Sequence, residues 1–444
     1  MARVAPDTLP PLCRSQPGRG RPPCRVAARV PRSLRRGAAR LRPLRLAGGS
    51  PCPGGGGGRP VGRLPARRVP ASGVPRPRRL PRLALGGLPP GGAAATPLCP
   101  GAPAVSPAQV RPVIDVHLHV AARRAPGCRV SRALLRSPAF AYMVAANRVR
   151  PSALRRDFDG TIRAQVLGAL RTAPSVDRGV ILALDAAVAE DGSLLWEASG
   201  MVVTNEYVRE LARAEPKVLV GASVNPNRGE RDGRAELERC LEGPPPAALV
   251  KWIPNSQLID PARPRHEWFY RMLAEHRVPL LCHCGPEYAV PVPPPVERHQ
   301  KLGDPRRLER ALDLGVTVIV AHAATRFFPT DSDDYLEDLA GMMARHPRLF
   351  ADVSAFCTPC RIGTVQRVLA ALPADRLVLG SDFPIPVADM PPVLVPELSV
   401  AEHLGILAVA NPIEKNYRQL LAMGFPSSIG HRGAELLNPA ALAA

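Results

Sequence analysis

The chain has 444 residues, with 59 Lys and Arg against 38 Asp and Glu for a formal charge of +21. That length accommodates two or three average domains or one large α/β domain. No apolar run reaches the roughly 18 residues of a membrane-spanning helix, and no secretory leader pattern is present. The charge does not mark a nucleic-acid binder throughout: residues 1–112 carry 21 arginines, no lysine and one acid (Asp7), whereas residues 113–444 net only +1.

Residues 1–112 contain no Ile, Phe, Tyr, Trp, Asn, His, Glu or Lys and include the run "PGGGGGRP". Such a segment cannot bury enough apolar surface to offset its ordering entropy, so a disordered Arg/Pro/Gly-rich region is expected. A basic nucleic-acid tail would be expected to use aromatics to stack bases, and none is present. A transit peptide would need an amphipathic helix that the prolines prevent. A start assigned too early in GC-rich DNA is the favoured expectation, since Gly, Ala, Arg and Pro have GC-rich codons.

From residue 113 onward, apolar runs alternate with helical patterns. The expected strands are 113–120 ("VIDVHLHV"), 178–186, 217–225, 248–254, 278–285, 316–324, 348–356 and 376–384. Helical spacing falls at 159–173, 204–216, 234–243, 265–277, 304–315, 334–347, 363–376 and 412–424. Eight strands, each followed by a helix, predict an α/β fold of the (β/α)8 TIM-barrel type over 113–424, with 425–444 as a tail. The rival doubly wound sheet would want a Gly-rich phosphate turn after its first strand, and "HLHVAARRAPG" is not one.

The first strand raises the chemical question. Strict alternation puts Asp115, His117 and His119 on one face, which is either half of a metal site or a solvated edge strand with coincidental histidines. In a barrel, catalytic groups sit where strands end. Those positions collect His117 and His119 (strand one), Lys251 (four), His283 (five), His322 (six) and Asp382 (eight), while strands two, three and seven offer Asp185, Asn225 and Ser354. Packing such a set without partners would cost roughly 1–3 kcal/mol per group. A divalent cation resolves this, because neutral imidazole and carboxylate are its natural ligands.

Asp115 lies deeper and is expected to make a structural hydrogen bond. Cys282 and Cys284 flank His283 on the opposite face and read as core residues. The lone C-x-x-C of Cys357 and Cys360 reads as reduced thiols, as in a cytoplasmic protein. His266, His276, His299, His346, His403 and His431 are expected at the surface.

The H-x-H on strand one, with Lys, His, His and Asp on strands four, five, six and eight, resembles the amidohydrolase superfamily of metal-dependent hydrolases. "GSDFP" (380–384) and "NPIEKNYRQLLAMG" (411–424) look most like the amidohydrolase-related branch. That branch also contains aminocarboxymuconate-semialdehyde decarboxylase and related aromatic acid decarboxylases. The resemblance covers residues 113–424.

It implies one or two divalent ions, most naturally zinc, with His117, His119 and Asp382 holding the first. In two-metal members a carboxylated strand-four lysine, here Lys251, bridges to a second ion on His283 and His322. In one-metal members the strand-five histidine joins the first ion, and the strand-six histidine acts on substrate or water. Asp382 is then the expected general base, and His322 the group that stabilises an oxyanion or shuttles a proton.

The expected activity is hydrolysis of an amide, lactone or similar carbonyl bond, with decarboxylation of an unsaturated or aromatic acid as the alternative. Asn225, Trp252, Asn255, Glu287 and Arg326 are candidate substrate contacts by position. Arg326 and the Arg-rich stretch 306–310 favour a carboxylate-bearing small molecule. No nucleic acid or membrane partner is expected for the barrel, and a homo-oligomer is an open expectation. A non-enzymatic nucleic-acid binder with a degenerate barrel is the competing class, yet no ligand position is substituted.

Overall fold

The barrel is built from eight short parallel strands in chain order. In the computed structural model, which describes residues 111–444, these are β1 (Ile114–His119), β2 (Arg178–Leu182), β3 (Val218–Ala222), β4 (Ala247–Trp252), β5 (Leu280–Cys282), β6 (Val318–Val320), β7 (Leu349–Asp352) and β8 (Leu377–Val378). The expectations for residues 1–110 lie outside the described residues. Each strand pairs in parallel with its sequence neighbour. Closure comes from the segment after β8: the Val116 N–H donates to the Leu379 carbonyl (3.0 Å) and the Asp382 N–H to the His117 carbonyl (2.8 Å). The arrangement is a TIM barrel, as the alternating pattern predicted.

Two apolar layers follow from strand alternation. Val218, Val220, Leu280, Cys282, Val318 and Val320 face the helices, whereas Leu219, Leu249, Leu281 and Ile319 fill the barrel interior. Helices between the strands cover the outer layer and start at recognisable caps. Asp157 accepts the Gly160 N–H at the head of Phe158–Arg171, and Thr204 accepts the Tyr207 N–H at the head of Asn205–Ala214.

Strict alternation fails in β1. Between Asp115 and Leu118 it carries one residue more than β2, a bulge. Ile114 and Val116 therefore join the interior apolar layer, and His117 and His119 sit above them. Asp115 does not share their role: its Oδ1 accepts the N–H groups of His117 and Ser381, both at 3.0 Å.

Residues 425–444 are not a loose tail. Helices Ser428–Leu436 and Pro439–Ala443 cover the N-terminal mouth of the barrel, where Leu437 and Ala441 pack with Ile114, Val116 and Leu249. Between them Asn438 donates from its backbone to the Ala248 carbonyl (3.0 Å) and from its side chain to the Ala247 carbonyl (2.9 Å). His266 also departs from expectation. It is fully buried, with Nε2 against Asn227 Oδ1 at 3.0 Å. The six cysteines of the described residues are free thiols, and among those residues no helix is long and apolar enough to cross a membrane.

Two consequences are measurable. Leu437→Ala opens the barrel floor and is expected to lower the unfolding free energy by about 2–5 kcal/mol in urea titration. Burial, reinforced by Arg265, pulls the His266 pKa from 6.5 to about 4. The unfolded chain therefore binds a proton that the native state refuses, and stability falls as pH drops from about 6.5 to 4. His266→Gln should flatten that part of the stability–pH curve, and an unchanged slope would refute this account.

Candidate active site

The site forms where β1, β4, β5, β6 and the segment after β8 reach the C-terminal mouth. Its tightest point is a triad. His117 Nε2 lies 3.1 Å from His119 Nε2, and Asp382 Oδ1 lies 3.2 Å from His119 Nε2 and 3.5 Å from His117 Nε2. Lys251 Nζ stands 3.2 Å from His117 Nε2, and His322 Nε2 is 3.9 Å from Asp382 Oδ2. His283 Nε2 has no hydrogen-bond partner and is 3.5 Å from Glu287 Oε2. All six expected rim residues are thus brought to one cavity.

Close backbone approach makes this possible. A Cβ at Gly380 would lie 3.0 Å from the Cβ atoms of both His117 and Ser354, so glycine lets this segment reach β1 without pushing those neighbours aside. Asp382 then takes φ +61°, in the left-handed region. The expected strand 316–324 stops at Val320 because His322, Ala323 and Ala324 all adopt positive φ (56°, 48° and 51°). A conformation costing roughly 1–2 kcal/mol per residue needs anchoring. The His322 N–H donates to Asp352 Oδ1 (2.8 Å), and Thr325 Oγ1 donates to the His322 carbonyl (2.8 Å).

The hydrogen-bond network fixes the tautomers. His117 Nδ1 donates to Asp352 Oδ2 (2.7 Å), leaving a lone pair on Nε2. The Ser354 hydroxyl donates to Asp352 Oδ1 (2.5 Å), so it accepts from His322 Nδ1 (2.8 Å). His322 Nε2 is therefore unprotonated. In this tautomer the nitrogen that faces the cavity is an acceptor, which bears on the expectation that His322 stabilises an oxyanion or shuttles a proton.

Electrostatics point the same way. Burial, then the Lys251 charge, hold His117 well below its ordinary pKa, and burial with Arg361 does the same to His322. His283 falls to about 3 through burial, Lys251 and Arg361. Burial would raise Asp382, but the imidazoles of His117 and His119 with Lys251 outweigh it and hold the carboxyl at about 2. Neutral imidazoles at His117, His283 and His322 beside an ionised Asp382 are protonation states that a divalent ion requires. Metal–ligand bonds of about 2.0–2.2 Å separate neighbouring donors by about 3–3.5 Å, which the triad matches. The residues present fit such an ion.

Above the triad opens a cavity of about 540 Å³. Its walls include Leu134, Phe140, Met143 and Val144 from an insertion between β1 and its helix, facing Tyr288, Phe327 and Phe328. Of the expected substrate contacts only Glu287 lines it. Trp252 points outward, packed at a tilt of 39° against Phe269 (centroids 4.8 Å apart), because its strand neighbour Lys251 takes the inward position. Asn225 is spent on the Ala186 and Gln257 carbonyls, and Asn255 on Gly285 and Gln300. Arg326 lies outside, near Asp334 (3.5 Å). Two residues that the sequence reading did not select join the site: Asp352, which holds His117, and the buried Arg361.

Among solved structures the chain is similar to an uncharacterized TIM-barrel protein from Bordetella bronchiseptica (17% identity over 70% of this chain and 98% of that one, TM-score 0.45). It is also similar to 4-oxalomesaconate hydratase from Rhodopseudomonas palustris (14%, 74% and 97%, TM-score 0.42). A third is 5-carboxyvanillate decarboxylase from Sphingomonas paucimobilis (12%, 75% and 98%, TM-score 0.42). No curated protein sequence matches. The family model described as Amidohydrolase matches residues 114–405, from the first residue of β1 through the segment that carries Asp382. That span is well over half of the chain, and the protein belongs to the amidohydrolase family.

Proposed function

We propose that this protein is a metal-dependent hydrolase of an amide, lactone or similar carbonyl bond, with His117, His119 and Asp382 as the primary ligands. The observation that carries the reading is the division of labour in Asp382: Oδ1 faces the two histidines of β1, while Oδ2 faces His322 Nε2. When bound, a divalent ion, zinc by the nature of the donor set, would polarise the substrate carbonyl and acidify a water.

The chain's own groups do the rest. Asp382, ionised at neutral pH, takes the water proton on Oδ2 and returns it to the leaving group. His322, a pure acceptor at Nε2, is the second base beside it. Lys251 either joins the ligand set or serves as a buried counter-charge. The apolar walls exclude bulk water and strengthen each of these interactions.

Decarboxylation of an unsaturated or aromatic acid is the second reading. It is favoured by the position of His283, which faces Glu287 and belongs to neither of the two donor groups among the described residues, both of which share His117.

Product analysis over a panel of amides, lactones and carboxylic acids tests the choice. Hydrolysis without CO2 release is expected, falling about 10²–10⁴-fold in Asp382→Asn; CO2 release from an acid would install the second reading. Elemental analysis of wild type beside Lys251→Ala measures the lysine's role, since loss of metal in the variant marks a ligand and unchanged content marks a counter-charge. Asp352→Asn removes the anionic acceptor of His117 Nδ1, so chelator competition should show metal affinity about 10–100-fold weaker.

A further inference from the structure

We infer that the cavity takes an amphiphilic monoanion, whose anionic group is held by Arg361 and whose apolar body fills the chamber walled by helix Pro138–Ala146. The inference rests on the reading of this cavity as the active site.

Arg361 is the first ground. It is 1% exposed and lines the cavity, yet among the described residues no carboxylate pairs with it. Its Nη1 donates only to the Thr325 carbonyl and hydroxyl (both 2.8 Å), its Nε has no partner, and its guanidinium lies over the Phe327 ring at 5.2 Å. By contrast Arg228, also at the barrel mouth, is met by Asp185. Leaving a buried guanidinium without a counter-ion is costly. Burial lowers its pKa only to about 10, so the charge persists at neutral pH. A ligand carboxylate would supply the missing partner in the bidentate geometry that arginine favours.

The second ground is the chamber. Helix Pro138–Ala146 reads "PAFAYMVAA", without a charge, and none of its residues is buried. This apolar helix packs on the core only through Phe140, and its apolar character is explained by what it faces, since Phe140, Met143 and Val144 line the cavity. Polar groups there are largely spent: the Asn147 side chain donates to the Pro384 and Met143 carbonyls. A volume near 540 Å³ is in the range that encloses a drug-sized molecule. Such walls match an aliphatic or aromatic body and do not match a sugar or a polyanion.

Calorimetric titration of the protein, both metal-loaded and metal-free, with octanoate, octanamide and acetate tests this without needing turnover. Octanoate should bind at least tenfold tighter than octanamide in both forms, and acetate should give no measurable binding. Arg361→Gln should bring octanoate down to the level of octanamide, while Arg361→Lys keeps part of the preference. Met143→Asn, an uncharged polar change at a half-buried position, should weaken octanoate and octanamide alike. If Arg361→Gln fails to fold, the lysine and Met143 variants decide. Equal binding of octanoate and octanamide, acetate as tight as octanoate, or a preference confined to metal-loaded protein would each overturn the inference. Binding as expected from a protein that hydrolyses nothing would instead sink the functional reading and leave this one standing.

Discussion

The carboxylate of Asp352 ties three strand ends together, and the geometry of the site depends on it. One oxygen accepts from His117 Nδ1 on β1; the other accepts from the His322 backbone after β6 and from the Ser354 backbone and hydroxyl after β7. Because Ser354 also meets His322 Nδ1, one fully buried acid orients two imidazoles and selects their tautomers. Such a hub is stable only if every bond is made, since a buried charge left short of partners is expensive. The left-handed turn at His322 survives on the same account: its backbone strain is held by a bond to the residue that also positions His117.

Around this hub the charges are graded. Burial, with Lys251 beside His117 and Arg361 beside His322, holds those two imidazoles well below their ordinary range, while the hydrogen bond with His119 and the nearby Lys251 help keep Asp382 ionised. Burial pushes Glu287, which accepts the Ala289 and Val290 N–H groups, up to about 7. The floor of the cavity is therefore polar, with Lys251 and Arg361 set among Asp382 and Glu287, while its walls are largely apolar. On the proposed function, chemistry belongs to the floor and selection of the substrate to the walls, part of which comes from the insertion after β1.

The barrel was legible because parallel strands buried on both faces read as continuous apolar runs, such as "GVILAL" and "VTVIV". The metal-type residues were legible because polar groups at the ends of such runs have few structural excuses. Asp352 escaped because Ser354, two residues on, drew attention as the end of its strand. Arg361 carries no local signal, being one arginine among many, and only its burial distinguishes it. Trp252 could have been excluded by alternation alone, because Lys251 beside it had already taken the inward position. Asn225 and Asn255 could not, since nothing in a sequence says that a loop carbonyl will claim an amide. Helix Pro138–Ala146 lacks an amphipathic period because several of its side chains shelter a cavity, with Phe140 alone also packing on the core.

The floor formed by Ser428–Leu436 and Pro439–Ala443 has a consequence for how the protein is made. Ile114 and Val116 of β1 rest against residues more than 300 positions later in the chain. During synthesis the first strand emerges early, and its interior face stays uncovered until the last helices have left the ribosome. Closure by the segment carrying Asp382 comes almost as late. The nascent barrel therefore presents apolar strand faces and an unpaired edge for most of translation, the surfaces on which chaperones act and from which aggregation starts.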